Sequence, residues 1–239
     1  MSSWRDSSRH HPSWAAWLSL VLLAFTAAAT LLLAGCSDRE SIHPALRVED
    51  AEFEKAVERG RTIAATGGDP YRAYSFGTQQ VNLRVTPDVI VREAACCWPK
   101  DEIAFLVAKQ ANGDASAVDR VAKRVRDQVE RDLKFTVLVQ MPKSVDPNTA
   151  IQFAMRSSAG SEYPPLAVEQ PVFIREVSSA LDPEMPASAI YGYDVHFPIQ
   201  GSPGYPKLGS EISELTLIVK DGDAQALVPF SMPTQKPRY

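Results

Sequence analysis

Residues 114–141, with the sequence DASAVDRVAKRVRDQVERDLKFTVLVQM, contain the change of pattern on which the predicted fold depends. Up to Val129, small apolar residues recur at spacings of three and four, and charges of both signs fill the other positions. This spacing predicts a helix that begins at Asp114 and has one apolar face. From Phe135 to Met141, apolar residues occupy every second position, which is the repeat of a half-buried strand. The predicted structure therefore changes from helix to strand near Lys134.

Alternation of apolar and polar residues continues over most of the chain that follows. Together with one earlier segment, this pattern predicts about seven strands. The predicted strands cover residues 79–85, 135–141, 151–156, 172–177, 191–197, 215–219 and 224–231. Asp221-Gly222 is typical of a β-hairpin turn, and short turns with proline or glycine separate most of the other strands. The spacing favours an antiparallel β-sandwich of the immunoglobulin-like type.

Two further helices are predicted from apolar spacing and from residues that start or end helices. Asp50 can cap a helix that begins at Ala51 and ends at Gly67-Gly68. Pro99 is suited to the first turn of another helix, because acidic residues follow it at the positive end of the helix dipole. The charged residues of the helix that begins at Asp114 have mixed signs, which indicates a solvated face more than a basic binding patch.

Residues 86–97 can be interpreted in two ways. Thr86-Pro87-Asp88 favours the start of a helix, whereas the β-branched residues 89–91 favour a strand. The helical interpretation gives a helical insertion at about residues 86–133, between the first and second strands. The predicted fold class is then α+β and mainly β, with one helix before the sandwich and a helical insertion within it.

An uncharged apolar run near the N-terminus extends from Ala15 to Ala34, after a weakly positive segment over residues 1–14. It ends in Leu33-Ala34-Gly35-Cys36, which resembles the lipobox of bacterial lipoproteins. The resemblance implies that residues 1–35 are a signal peptide, cleaved before Cys36, and that the Cys36 thiol receives a diacylglycerol. The alternative is a membrane-spanning helix, for which about 20 apolar residues are sufficient.

The resemblance also implies a place in the cell. Two or more acyl chains such as palmitate hold a protein stably on a membrane. Ser37 stands where an aspartate is the inner-membrane retention signal in enteric bacteria, which favours the periplasmic face of the outer membrane. Residues 36–49 are polar apart from a few positions and contain Pro44, so we expect them to form a tether.

The remainder is predicted to be one domain over residues 50–232 and a tail over residues 233–239. Without the signal peptide, about 200 residues remain, which is enough to bury a self-sufficient core. Their net charge is about −5. Nucleic acid is not expected as a partner, since its binding requires clustered lysine and arginine.

The three cysteines of the chain are Cys36, Cys96 and Cys97. Lipidation of Cys36 leaves one adjacent pair, which excludes a disulfide framework of the small secreted type. Cys96 and Cys97 can form a vicinal disulfide in an oxidising compartment. The other interpretation is two small buried apolar residues at a helix end, because unpaired cysteine is often buried.

Few residues are candidates for catalysis or metal binding. Asp194 and His196 lie two positions apart in a predicted strand, which places both on one face. They are either part of an outward polar face or the start of a metal or acid–base site. A cleft near Tyr191, Tyr193 and His196 is a further possibility. Since the chain contains no recognised catalytic, phosphate-binding or metal-binding motif, no catalytic residue, cofactor or metal ligand is predicted.

The sequence thus favours a membrane-anchored, non-enzymatic lipoprotein that binds or supports an envelope protein or polymer. The sandwich would present a face or an edge strand to this partner. The alternative is an anchored periplasmic enzyme or thiol-active protein that uses Cys96 and Cys97 or the cleft near Tyr191, Tyr193 and His196. A third interpretation is a structural spacer.

Overall fold

The computed structural model describes residues 42–70, 78–111, 115–177, 187–200 and 206–233. Within them the chain is α+β and mainly β, as predicted. In the described ranges, four helices follow a short 3-10 helix at Pro44–Leu46: α1 (Asp50–Ala65), α2 (Pro99–Ala111), α3 (Ala115–Val129) and α4 (Pro147–Ala150). The strands are β1 (Thr78–Arg84), β2 (Ile90–Cys97), β3 (Asp132–Pro142), β4 (Gln152–Ser157), β5 (Glu162–Tyr163), β6 (Ala167–Val168), β7 (Val172–Val177), β8 (Ser188–Pro198), β9 (Glu214–Asp221) and β10 (Ala224–Ser231).

The strands form two antiparallel sheets. The six-stranded sheet has the order β1-β2-β3-β8-β6, and β7 also pairs with β8. The four-stranded sheet has the order β10-β9-β4-β5. Strands β3 and β8 pair over their full length, from Asp132 opposite Pro198 to Pro142 opposite Ser188. This pair is the centre of the six-stranded sheet.

The main hydrophobic core lies between the two sheets. Apolar residues at alternate positions point inward, so the strand pattern of the sequence is confirmed for β3, β4, β8, β9 and β10. The ring of Phe135 lies 5.3 Å from that of Phe230, and the ring of Phe153 lies 5.3 Å from that of Tyr193. Burial of one such aromatic side chain stabilises the fold by about 1.5–3 kcal/mol.

A second core holds the three longer helices together. It contains apolar residues from α1, α2 and α3, including Phe53, Ile103 and Val125. Gly60 allows α1 and α2 to approach closely, because a Cβ there would lie only 2.6 Å from the carbonyl oxygen of Ala104. Two of the predicted helices are confirmed near their expected starts, although Asp50 is the first residue of α1 and not its cap.

The helical interpretation of residues 86–97 is wrong, because Ile90–Cys97 is strand β2. Thr86 makes a turn: its hydroxyl accepts a hydrogen bond from the Val89 amide at 3.2 Å, and the Val85 amide donates to the Val89 carbonyl. The β-branched residues that follow enter the sheet, where Val91 is fully buried. The helical insertion is therefore Pro99–Val129, between the second and third strands.

The predicted tether is also corrected where the structure describes it. Ile42 forms a β-bridge with Gly209, and Ala45, Leu46 and Val48 are buried. Residues 42–49 thus pack on the domain, because their apolar side chains find room in its cores. Strands β5 and β6 were not predicted, since two residues are too short for a periodic pattern.

Some predictions lie outside the described residues. These are the apolar run from Ala15 to Ala34, the lipobox with Cys36, the start of a helix at Asp114 and residues 234–239 of the tail. Across the described ranges, no helix combines the length and apolar character that a membrane crossing requires.

Candidate functional site

The outer face of the six-stranded sheet, opposite the main core, carries a concentration of polar side chains. Because side chains alternate along a strand, the residues between the core positions of β2, β3 and β8 share this face. Pairing of these strands places Ala95, Thr136 and Asp194 in one row across the sheet. The neighbouring rows are Cys97, Lys134 and His196 on one side and Glu93, Leu138 and Gly192 on the other.

Lys134 is at the centre of a buried ion cluster on this face. Its Nζ lies 2.8 Å from Oε1 of Glu102 and 3.6 Å from Oδ2 of Asp194, and its side chain is only 10% exposed. Asp194 also accepts a hydrogen bond from the Thr136 hydroxyl at 2.7 Å. Burial by itself would lower the pKa of Lys134, but the Glu102 carboxylate and its other anionic neighbours raise that pKa above the usual value. Lys134 is therefore a fixed positive charge at neutral pH.

Helix α2 positions the partners of Lys134. Glu102 lies in its first turn, shortly after β2 ends, so the strand and the helix together bring this carboxylate over the sheet. Phe105 follows one turn later, and its ring centre is 5.3 Å from Nζ of Lys134. The neighbouring Asp101 forms an ion pair with Arg59 of α1, with its Oδ1 2.8 Å from Nη1. The cation thus has an anionic neighbour and an aromatic one, both from the helical insertion.

His196 connects the sheet to the segment between β6 and β7. Its Nδ1 lies 3.1 Å from Oδ2 of Asp132, and its Nε2 lies 3.1 Å from Oε1 of Glu169. The hydrogen bond to Asp132 raises the pKa of His196, burial opposes this, and the hydrogen bond to Glu169 raises it further. A protonated ring can donate to both carboxylates, whereas a neutral ring can donate to only one. Protonation therefore strengthens the attachment of the Glu169 segment.

Two adjoining cavities open on this face, and we call them together the outer groove. The first has a volume of about 450 Å³ and a floor of small residues that includes Ala95, Thr136 and Gly192. The second has a volume of about 500 Å³ and shares Glu93, Leu138 and Ile174 with the first. Volumes of this size are typical of small-ligand sites.

Strand β7 is an exposed edge strand of the six-stranded sheet, and β1 is the strand at the opposite edge. Among the described residues it pairs only with β8, and a register shift interrupts this pairing between Phe173 and Arg175. Val172, Phe173 and Ile174 are 62%, 53% and 48% exposed. Val172 and Ile174 line the outer groove, whereas Phe173 packs edge to face against Tyr191 with ring centres 6.1 Å apart. A contiguous exposed apolar segment of this kind often marks an interaction surface.

The two adjacent cysteines lie on opposite faces of β2. Cys96 is in the main core, whereas Cys97 is at the outer groove with its Sγ 3.7 Å from the Thr136 hydroxyl. Both are free thiols, and burial raises the pKa of each, to about 12 for Cys97. A vicinal disulfide needs both sulfur atoms within bonding distance, but the extended backbone points them apart. The geometry instead supports buried apolar residues, at a strand end and not at a helix end.

The predicted cleft near Tyr191, Tyr193 and His196 is wrong. Tyr193 is buried in the main core, where its hydroxyl donates to the carbonyl of Pro147 at 2.8 Å and burial raises its pKa. Tyr191 points to the same side, and His196 points to the other. Alternation along β8 thus separates the tyrosines from the histidine.

Asp194 and His196 share the outer face, as predicted, but their contacts are with different residues. Asp194 contacts Lys134 and Thr136, whereas His196 contacts Asp132 and Glu169. Among the residues that the structure describes, no group of three or more histidine, cysteine, aspartate or glutamate side chains has a metal-binding arrangement. Sequence reasoning missed Lys134 and its partner Glu102, and also missed Asp132 and Glu169 around His196. The one available signal was the charge of Lys134 within an apolar strand, because the other three residues come from separate elements.

Comparison of the chain with protein-family models, with curated proteins and with solved structures found no match.

Proposed function

We propose that the protein is a lipid-anchored bacterial envelope protein that binds an extended segment of another envelope protein along the edge of β7. The observation that carries this proposal is the exposure of Val172, Phe173 and Ile174 on an edge strand. Unpaired backbone groups of such an edge can hydrogen-bond an added strand, and the apolar side chains provide contact area. We also propose that the two antiparallel sheets form a sandwich of the immunoglobulin-like type.

The anchor in this proposal is the lipidated Cys36. Its support is the lipobox-like sequence Leu33-Ala34-Gly35-Cys36 at the end of an uncharged apolar run. The periplasmic face of the outer membrane is favoured over the inner membrane because Ser37 follows the cysteine.

A binding role is favoured over an enzymatic one by the chemistry of the outer face. Lys134 is kept protonated by its carboxylate neighbours, so it is not a general base at neutral pH. Both ring nitrogens of His196 contact carboxylates, and the pKa of the Cys97 thiol is about 12. A thiol with such a pKa is a poor nucleophile. These groups stabilise one another in place of activating a substrate.

Site-specific photo-crosslinking in intact cells tests the edge. A photoreactive amino acid at Phe173 is expected to capture one envelope protein, and the product should disappear when Val172 is also changed to Lys. The matched control is Leu227, which is 41% exposed on β10 of the other sheet. Equal capture from Phe173 and Leu227, or no capture from Phe173, would contradict the proposed edge binding.

Metabolic labelling with a fatty-acid analogue tests the anchor separately. The wild-type protein is expected to incorporate the label, and Cys36→Ala is expected to lose it. The control is Cys97→Ala, which should be labelled like the wild type. Equal incorporation in Cys36→Ala and wild type would remove the lipoprotein interpretation and leave the edge experiment unaffected.

A further inference from the structure

The outer groove runs along the strands of the six-stranded sheet. On β3 it extends from Thr136 to Gln140, and on β8 from Asp194 to Ile190. Four residues of a strand span about 13 Å. The groove is therefore long enough for an extended molecule that lies parallel to β3.

One end of the groove has positive charge that its hydrogen-bond partners do not neutralise. Arg92 donates to Oε1 of Gln140 at 2.8 and 2.5 Å and to Oδ1 of Asn82 at 2.9 Å. All these acceptors are amide oxygens, so they orient the guanidinium group and leave its charge available. Arg175 of β7 lines the same cavity and is exposed. Two guanidinium groups thus face this end, which suits a carboxylate.

The other end is acidic. Asp194 and Glu169 line the groove there, with side chains 33% and 61% exposed. Lys134 and His196 contact them, but Glu102 and Asp132 contribute two further carboxylates to the same clusters. Carboxylates therefore outnumber cations in these two clusters, which suits an ammonium group. The exposed Lys109 at the rim reduces this excess without reversing it.

The middle of the groove is apolar. The side chains of Ile174 and Leu138 cover Gly192, since a Cβ added there would lie 3.4 Å from Cδ1 of Ile174 and 3.5 Å from Cδ2 of Leu138. Ala95 is the small residue on the neighbouring strand. Glu93 also lines this part, where its carboxylate can accept a backbone N–H.

We propose that the outer groove binds a short peptide of three to four residues with free termini. Its ammonium group would contact Asp194 and Glu169, its carboxylate would contact Arg92 and Arg175, and an apolar side chain between them would pack against Ile174 and Leu138. An extended chain of three to four residues spans about 10–14 Å, which matches the distance between the two ends. The groove shares Val172 and Ile174 with the proposed partner edge of β7. Binding of a free peptide in it does not depend on the proposed function.

Three forms of one tripeptide test the proposal by isothermal titration calorimetry on the full chain purified in detergent. The probes are Ala-Leu-Ala, its N-acetyl form and its C-terminal amide. The free peptide should bind at least about tenfold more tightly than either capped form, because each cap removes one charged contact. Equal affinity for all three forms, or no measurable binding of the free peptide, would overturn the proposal.

Variants at the two ends determine the orientation. Arg92→Gln should weaken binding of the free peptide about tenfold but leave binding of the C-terminal amide unchanged, because the amide already lacks the carboxylate. Glu169→Gln should weaken binding of the free peptide but leave binding of the N-acetyl form unchanged, because that form already lacks the ammonium group. Arg175→Gln gives a second test of the first end if Arg92→Gln does not fold. Equal weakening of all three probes by these variants would count against the charge assignment.

Filling the floor of the groove provides the last test. Ala95→Leu should abolish binding of the free peptide, because the longer side chain occupies the first cavity. The matched control is Thr216→Leu, which adds an apolar side chain at a half-buried position of β9. Unchanged binding in Ala95→Leu, or equal loss in Thr216→Leu, would contradict the location of the site. Circular dichroism verifies that each variant is folded.

Discussion

The two faces of strand β3 differ in what their side chains contact. Phe135, Val137 and Val139 point inward and pack against the four-stranded sheet, where they are completely buried. Lys134 and Thr136 point outward, and they contact the charged and polar groups that the helical insertion and β8 bring over the sheet. Apolar packing stabilises the inner face of β3. Ion pairs and hydrogen bonds stabilise its outer face, and removal of one partner leaves the other buried without that interaction. The expected effects of mutations follow from this difference.

The largest effect is expected on the inner face, for Phe135→Ala. The ring of Phe135 contacts both Phe197 and Phe230, with ring centres 5.6 and 5.3 Å away. Its loss leaves a cavity in the main core, which should lower the free energy of unfolding by about 3–5 kcal/mol. Urea denaturation followed by circular dichroism measures this. A loss below about 1 kcal/mol would show that the core can collapse around the site.

Lys134→Met should lower the free energy of unfolding by about 3 kcal/mol, because it removes the cation that lies 2.8 Å from the buried Glu102 carboxylate. A second change, Glu102→Gln, should recover more than half of this loss in the double variant, since it removes the carboxylate charge that Lys134 balanced. The same denaturation experiment measures both variants. If the double variant is less stable than Lys134→Met, the outer face depends on packing and not on charge pairing.

His196 makes the outer face dependent on pH, with an effect smaller than the first two. The pKa of His196 is raised in the folded protein above its ordinary value of 6.5. The stabilisation is therefore complete below about pH 6.5 and is lost as pH rises through the folded pKa. Wild type should exceed His196→Gln in stability at pH 5.5, by a margin that decreases above pH 7. A margin that increases with pH would contradict the protonated contact to Asp132 and Glu169.

The smallest effect is expected at the edge, for Phe173→Lys. The side chain is half exposed and contributes little to the main core, so the free energy of unfolding should change by no more than about 0.5 kcal/mol. Thermal unfolding measures this, with Leu227→Lys as the control on the other sheet. A loss as large as that of Phe135→Ala would mean that β7 is a structural element and not a free binding edge.

The pattern of the sequence was sufficient for elements that are long and periodic. Helix α1 and strands β3, β4, β8, β9 and β10 were predicted because each buries one face, and burial of one face imposes a repeat of 3.6 or 2 residues. The sequence pattern gave the wrong structure for β2, because Thr86-Pro87-Asp88 has the residues of a helix start but forms a turn. The competing influence was pairing with β1 and β3, which depends on residues distant in sequence.

The candidate site was largely hidden from sequence reasoning. Asp194 and His196 were placed on one face because alternation is a local property. Glu102, Lys134 and Glu169 could not be joined to them, because three separate elements bring these side chains together. For the adjacent Cys96 and Cys97, the sequence allowed a vicinal disulfide. The structure argues against this bond, because strand β2 places the two thiols on opposite faces.

By itself, then, the sequence determined the mainly β fold class, the inward positions of the strands and the lipobox-like sequence that predicts an anchor at Cys36. These are local properties, because they depend on side-chain periodicity or on a contiguous motif. Only the tertiary structure decided that β7 is an exposed edge, that Lys134 is paired with Glu102, and that charges of opposite sign lie at the two ends of the outer groove. Those features depend on strand order, register and helix packing, which bring together residues that no local pattern connects.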